Sequence, residues 1–453
     1  MVGNTYRQRP LSSSSTLMTA CWLTVGRLDR HGATHNSHTT VEIQRRKAAI
    51  PARVARGWAV AIAIRHAAVT DPPENMKGTC VHAFAAKIKP MITGMTSSPE
   101  QATRQALDAL IADGDTPGLQ YVFASADEAL LAHHGGLANP GAHLPINDCT
   151  TFNAYSVTKT FTAAAVLQLV EQGRIELDRP IAQYCDRWPQ SGAATVRQTL
   201  LHTAGFANPN PLPWVHLIDE RAAFDRVRFV EDLMRTEGRP ISKPGERYAY
   251  SNIGYLLLGE LIERASGQPF VQYVLQHLIA PLHLCDGETL AFDIPRPQAH
   301  ARGALKRFGW LNLVLGFVVD RDRLVDDKAG RWVQFRNHHV NGDAYGGLIA
   351  NAHGLARYLQ ALLAHDDFLS PVSRALLFTT EPGPGPARSL GWFMGRLDDE
   401  PWYAHAGGGA GYYSEVRVYP RLGRASVVMF NRAGIRDEHI LDRLDRFLIA
   451  GKR

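Results

Sequence analysis

Apolar residues recur at helix or strand spacing along most of the chain, but not in its first ninety-odd residues. Regular structure is predicted to begin at Ser98-Pro99-Glu100, which combines an N-cap serine, a proline at the first helical position and a first-turn acid. This helix runs to about Asp113, with Ala106, Leu107, Leu110 and Ile111 on one face. Gly118 to Ala126 and Ala129 to His133 read as two strands around a turn at Asp127-Glu128. Phe161 to Val170 is apolar nearly all round, so its helix is expected at the centre of the molecule. From about residue 175 to 380 helical patterns dominate, broken by proline-rich loops such as Pro209 to Pro213. Strands return after Pro386, at Ser389 to Gly395, Tyr412 to Tyr419 and Ala425 to Phe430. An amphipathic helix at about Arg436 to Leu448 follows them. The pattern predicts an α/β fold of the α+β type. One antiparallel sheet is built from both chain ends and flanked by helices, with an inserted helical lobe at about 175–380.

Composition agrees with a globular protein: 453 residues, 45% hydrophobic and 20% charged. The length calls for one large bilobal domain or two domains. Nothing approaches the ~18 consecutive apolar residues of a membrane-spanning helix. The longest candidate, Leu311 to Val319, contains Asn312 and Gly316. The formal net charge of +6 is unevenly placed. Residues 1–94 carry 13 Lys and Arg against 4 Asp and Glu, so the remainder is net −3 and shows no basic stripe for nucleic acid. The first segment also holds a serine run (Ser12 to Ser15), three nearby histidines (His31, His35, His38) and a basic cluster (Arg45, Arg46, Lys47). Residues 1–94 are read as a disordered extension or an over-long start, with Met91 or Met95 as alternative starts and residues 95–453 as the working domain. No convincing signal peptide is seen, which favours the cytoplasm. Cys21, Cys80, Cys149, Cys185 and Cys285 are odd in number and widely spaced, so they read as buried free thiols.

The first candidate for chemistry is Ser156-Val157-Thr158-Lys159, at the head of the apolar helix. Residues three apart share a helix face, so the Ser156 hydroxyl and the Lys159 amine should meet. A serine becomes a nucleophile when a base takes its proton, and burial lowers a lysine's pKa towards that task. Alone the tetrapeptide is weak, since roughly one or two arise by chance in a chain this long. Two further elements follow in order. Tyr250-Ser251-Asn252 lies on a loop between helical stretches. His405-Ala406-Gly407-Gly408-Gly409 precedes a predicted strand, and its glycines let a substrate approach the backbone closely.

These three elements, in this order and at these intervals, resemble the S-x-x-K, Y-x-N and K-T-G or H-x-G motifs of the serine β-lactamase and penicillin-binding superfamily. The stretches around Phe152 to Phe161, Leu200 to Gly205, Tyr250 to Phe270 and Tyr345-Gly346-Gly347-Leu348 also look familiar. The resemblance is to the class C β-lactamase-like serine hydrolases and covers about residues 98–448. It implies Ser156 as acyl-accepting nucleophile, Lys159 and Tyr250 as base and proton shuttle, and Asn252 as a holder of substrate or Lys159. It further implies an oxyanion hole from the backbone N–H groups of Ser156 and Gly408, and His405 in support of Tyr250. Gly407, Gly346 and Gly347 would border the substrate. Where the β-lactamase form carries Lys and Thr, this chain has His405 and Ala406, so the cation and hydroxyl that would bind a β-lactam carboxylate are missing. The expectation is a serine hydrolase of esters, small amides or D-peptides, acting on a small molecule without metal or cofactor, with a monomer favoured. The alternatives are a true β-lactamase or D-alanyl-D-alanine carboxypeptidase, and a catalytically idle binding or sensor module.

Overall fold

The computed structural model describes residues 98–433 and 440–450, apart from 186–192, 212, 310, 314, 316–318 and 365. Residues 1–94, with their serine run, histidines and two cysteines, lie outside the described residues. Ser98 accepts the backbone N–H of Gln101 and starts α1 (Pro99–Ala112) where its capping signals place it. The next elements are β1 (Gly118–Ser125), β2 (Ala129–Asn139) and β3 (Leu144–Pro145). The helices that matter most for the site are α2 (Thr158–Glu171), α3 (Asn252–Ser266) and α4 (Ala352–Ala364). The C-terminal part supplies β4 (Arg388–Ser389), β5 (Trp392–Leu397), β6 (Glu400–Gly409), β7 (Tyr412–Tyr419) and β8 (Arg424–Phe430). The helix α5 (Ile440–Ala450) follows.

The main sheet has eight strands in the order β4-β5-β6-β7-β8-β1-β2-β3. Every neighbouring pair is antiparallel. First and last strands of the domain meet at its centre, where Leu119 of β1 pairs with Phe430 of β8. All eight residues of β1 are buried because helices cover both faces of the sheet. Leu119, Tyr121 and Phe123 pack against α1 and α5, while Val122 and Ala124 face the larger core around α2, α3 and α4. Gln120 is satisfied inside this strand: its amide donates to the carbonyls of Asn147 and Thr150 and accepts from Ala352 N–H. The central helix is central indeed, with eleven of the fourteen residues of α2 buried.

The structure departs from the sequence pattern at several places. Besides helices, the 175–380 stretch carries short strands. Val215–Leu217 pairs with His338–Val340, and Ala304–Lys306 and Val325–Ala329 flank Trp332–Phe335. Leu290–Ala291 joins Phe152–Asn153 through Ile349–Ala350. Pairs of two to five residues leave too few positions for an alternation to register. The expected strand Ser389 to Gly395 is broken at Leu390-Gly391 into β4 and β5. Gly391 has φ +80°, and a Cβ there would lie 2.6 Å from that of Ala163 in α2, so this turn must be glycine. Cys185 is buried, but Cys149 and Cys285 are exposed because both sit in loops. Phe308 and Leu313 are exposed, whereas Leu315 joins a small cluster with Val215, Leu305 and Phe335.

One carboxylate of α5 gathers three strands on the far face of the sheet. Asp445 accepts hydrogen bonds from Tyr121 OH (2.8 Å), Tyr419 OH (2.7 Å) and Ser426 Oγ (2.6 Å), on β1, β7 and β8. Burial pushes its carboxyl up from the usual range, against the pull of Arg417 and of these three donors. Asp445→Ala leaves three buried hydroxyls without their acceptor. It is expected to cost about 3–5 kcal/mol of stability, read from urea unfolding. A loss below about 1 kcal/mol would show that the hydroxyls find other partners.

Candidate active site

Ser156 does not sit in the helix proper. It lies in a 3-10 turn, Tyr155–Val157, from which α2 continues at Thr158. The turn still places its Oγ where spacing required: Lys159 Nζ is 3.0 Å away and Tyr250 OH 2.9 Å away. Ser156 stays partly exposed while Lys159 is wholly buried. Thus the hydroxyl is reachable and the amine is dry.

Lys159 Nζ has three hydrogen-bond partners, all neutral: Ser156 Oγ, Asn252 Oδ1 at 2.8 Å and the Tyr345 carbonyl at 2.8 Å. Desolvation holds its pKa well below the ordinary lysine range. A neutral amine has two N–H bonds and one lone pair. An amide oxygen and a carbonyl only accept, so they take the two N–H groups. In that neutral form the lone pair is what remains for the Ser156 hydroxyl, 3.0 Å away; in the ammonium form Nζ donates to Ser156 Oγ instead. The geometry leaves the amine of Lys159 beside the Ser156 hydroxyl at hydrogen-bond distance.

Tyr250 and Asn252 come from one short stretch. Ser251 caps α3 by accepting Gly254 N–H, Asn252 is the first helical residue, and Tyr250 lies in the extended segment just before. His202 holds that segment in place: its Nδ1 accepts Ser251 N–H at 3.1 Å and its carbonyl accepts Ala249 N–H. Its ring lies 4.3 Å from the Tyr250 ring, centroid to centroid. Asn208 Oδ1 accepts Asn252 N–H at 3.1 Å. Burial raises the Tyr250 phenol above its ordinary pKa, so it stays protonated and donates to Ser156 Oγ.

The third element lies within strand β6 itself. Its Gly407 packs directly on the nucleophile turn: a Cβ there would fall 2.1 Å from Ala154 O and 2.7 Å from Ser156 N. β5 pairs with β6 only as far as Ala404, so His405 to Gly409 have a strand partner on one side, β7. Gly408 is exposed there. His405 is buried and donates from Nδ1 to the Ala406 carbonyl at 2.9 Å. Its Nε2 is buried without a hydrogen-bond partner, and burial together with Lys159 lowers its pKa to about 3. It is a neutral ring 6.4 Å from that of Tyr250, with no hydrogen bond joining the two.

Two of the expected substrate glycines are buried. Gly346 lies against the Tyr155 backbone and Gly347 against Asp343. They shape the turn that presents the Tyr345 carbonyl to Lys159. That carbonyl, His202 and Asn208 were not singled out by the sequence. Only the neighbouring letters around His202 and Tyr345 gave a signal, because a backbone acceptor leaves no side-chain trace. Among the described residues no group of three or more His, Cys, Asp or Glu is placed to hold a metal ion, and no helix is long and apolar enough to cross a membrane.

A serine flanked by a buried amine and a phenol, in the turn ahead of a buried helix against an antiparallel sheet, is the arrangement of a class of serine hydrolases. The chain belongs to the beta-lactamase family, whose model matches residues 103–450. Penicillin-binding protein 4 of Amycolatopsis lactamdurans is 25% identical over 349 residues, covering 72% of this chain and 84% of the relative. Protein flp of Staphylococcus aureus (strain N315) is 24% identical over 199 residues, 42% of this chain; the match spans only 39% of flp. D-amino acid amidase from Ochrobactrum anthropi SV3, complexed with L-phenylalanine amide, matches at TM-score 0.65 and 19% identity, over 79% of this chain and 100% of the amidase. The octameric penicillin-binding protein homologue from Pyrococcus abyssi matches at TM-score 0.62 and 22% identity, over 77% of each chain.

Two outcomes follow from this geometry. Gly407→Ala forces the nucleophile turn away from β6, and is expected to slow fluorophosphonate labelling of Ser156 about 100-fold. An unchanged rate would show that strand and turn do not fix each other. With the Lys159 pKa depressed, the neutral amine exists at pH values above that lowered pKa and is lost as pH falls through it. The acid limb of kcat/KM should therefore lie well below the ordinary lysine value of about 10.4. Lys159→Arg keeps a charge at every pH and should lower kcat/KM about 10²–10⁴-fold. A variant that keeps wild-type kcat/KM would remove Lys159 as the base.

Proposed function

We propose that this protein hydrolyses small esters and amides, D-amino acid amides among them, through an acyl-enzyme on Ser156. The observation that carries the reading is the buried Lys159 Nζ, 3.0 Å from Ser156 Oγ and 2.8 Å from both Asn252 Oδ1 and the Tyr345 carbonyl, with no counter-charge among these partners. Lys159 takes the serine proton as Oγ bonds to the substrate carbonyl carbon and the carbonyl π electrons move to oxygen. The N–H groups of Ser156 and Gly408 receive that oxygen. Tyr250, kept protonated by burial, donates its proton to the departing alcohol or amine as the bond to carbon breaks, and Lys159 restores it. Water then attacks the acyl carbon by the same route, releasing the acid.

The substrate class follows from charge. Neutral His405 stands where the β-lactamase form carries a fixed cation, and strand alternation puts Ala406 on the opposite face from His405, exposed. The missing cation therefore weighs more than the missing hydroxyl. Loss of one charge-assisted hydrogen bond, about 1.5–3 kcal/mol, lowers kcat/KM for a β-lactam by about one to two powers of ten. The amidase relative supports amides as substrates. A fluorophosphonate is expected to label the wild type and not Ser156→Ala. In the same preparation p-nitrophenyl butyrate and D-phenylalanine amide should be turned over with higher kcat/KM than nitrocefin. Labelling that survives Ser156→Ala overturns the nucleophile, and equal or better nitrocefin hydrolysis favours a true β-lactamase.

A further inference from the structure

Two buried histidines, unused by the proposed chemistry, hold the chain segment that leads into the nucleophile turn. Thr151, Asn153 and Tyr155 alternate along that segment, and each is hydrogen-bonded to one of them. His300 Nδ1 lies 2.9 Å from Thr151 Oγ1, and its Nε2 lies 2.9 Å from Asn153 Oδ1 and 3.2 Å from Tyr412 OH, which itself donates to the Ala301 carbonyl. Tyr155 OH lies 2.8 Å from His338 Nε2, and His338 Nδ1 lies 2.9 Å from the Arg336 carbonyl. The partners fix the tautomers. Arg336 O only accepts, so His338 carries its proton on Nδ1 and its Nε2 accepts from the Tyr155 hydroxyl. Asn153 turns its Nδ2 to the His338 carbonyl at 3.2 Å, so its Oδ1 takes the N–H of His300 Nε2. His300 Nδ1 then accepts from Thr151. Both rings stay neutral, since burial lowers His300 well below its ordinary pKa and His338 to about 4.

Tyr155 directly precedes Ser156, and its φ is +48°. A tyrosine in the left-handed region is strained and persists only where its surroundings fix it. Two glycines make room for it. Gly346 packs on its backbone, and a Cβ at Gly409 would fall 2.6 Å from its ring. The Tyr412 ring closes over it at 6.1 Å. Packing of this kind locates the ring, but the hydroxyl's bond to His338 fixes its rotation and its depth.

We propose that Tyr155 and His338 form a positioning pair whose hydrogen bond holds the strained backbone ahead of Ser156, and so keeps Oγ in line with Lys159 and Tyr250. The proposal rests on Ser156 as nucleophile. His338 touches neither substrate nor reacting atoms; it acts through Tyr155 on the placement of the serine.

The test uses Tyr155→Phe, His338→Gln and His338→Leu in the full chain. The readouts are the fluorophosphonate labelling rate and kcat and KM for p-nitrophenyl butyrate, each corrected to the folded fraction. Tyr155→Phe keeps the ring and drops the hydroxyl, and is expected to lower the labelling rate and kcat about tenfold or more with KM nearly unchanged. His338→Gln, which retains an acceptor, should keep more of the rate than His338→Leu. A wild-type rate in Tyr155→Phe, or equal rates in the two His338 variants, overturns the proposal and leaves the pair as core packing. If Tyr155→Phe does not fold, the His338 comparison decides. Ser156→Ala separates the two claims. Labelling that persists in it removes the nucleophile itself, whereas a silent Ser156→Ala beside unaffected pair variants removes only the positioning.

Discussion

Lys159 must lie out of water with no counter-charge at hydrogen-bonding distance, and much of the surrounding architecture serves that requirement. A buried ammonium is costly, so the amine loses its proton unless something nearby holds the charged form. Its hydrogen-bond partners are an amide oxygen, a backbone carbonyl and a hydroxyl, which orient Nζ without pairing it. The rings of Tyr250, Tyr255 and Tyr345 stand 5.0–5.3 Å from Nζ. Their faces would favour an ammonium at Nζ whenever the amine takes up a proton. The apolar run Phe161 to Val170 within α2 is the same requirement expressed in sequence.

Three distant parts of the chain have to meet around Ser156, and each is held by contacts of its own. Ser156 is placed by the turn between the Phe152–Asn153 strand and α2. Tyr250 and Asn252 are placed by the cap of α3 and by His202. β6 is placed by its pairing with β7, which runs on past the end of β5. Glycine matters where two of these pieces touch: at Gly407 backbone meets backbone, and at Gly391 the hairpin meets α2.

The sequence was most readable where the physics is local. The cap at Ser98-Pro99-Glu100, the three-residue spacing of Ser156 and Lys159, and the strand runs of β7 and β8 each depend on a few neighbouring residues, and each is found in the structure. The antiparallel sheet built from both ends follows from the same runs. Readability failed where pairing rather than propensity makes the structure. A run such as Ala406-Gly407-Gly408-Gly409 has no strand preference of its own and is a strand because Glu415, Ser414, Tyr413 and Tyr412 pair with it. His300 and His338 reach Thr151 and Tyr155 across 149 and 183 residues, a distance that no spacing rule connects.

The two faces of the sheet are kept chemically apart, and strand alternation enforces this. Along β7, Val416 and Val418 face the core that contains the site, while Glu415 and Arg417 point to the other side. There Arg417 meets Glu415 at 2.7 Å, pairs with Asp442 and lies over the Trp402 ring, and Asp445 gathers its three hydroxyls. A register slip of one residue would carry Glu415 and Arg417 through to the site face. A carboxylate there would hold Lys159 protonated, and a guanidinium would supply the fixed cation that neutral His405 does not. The hydrophobic alternation that specifies the fold therefore also keeps charged partners away from Lys159, whose pKa burial lowers.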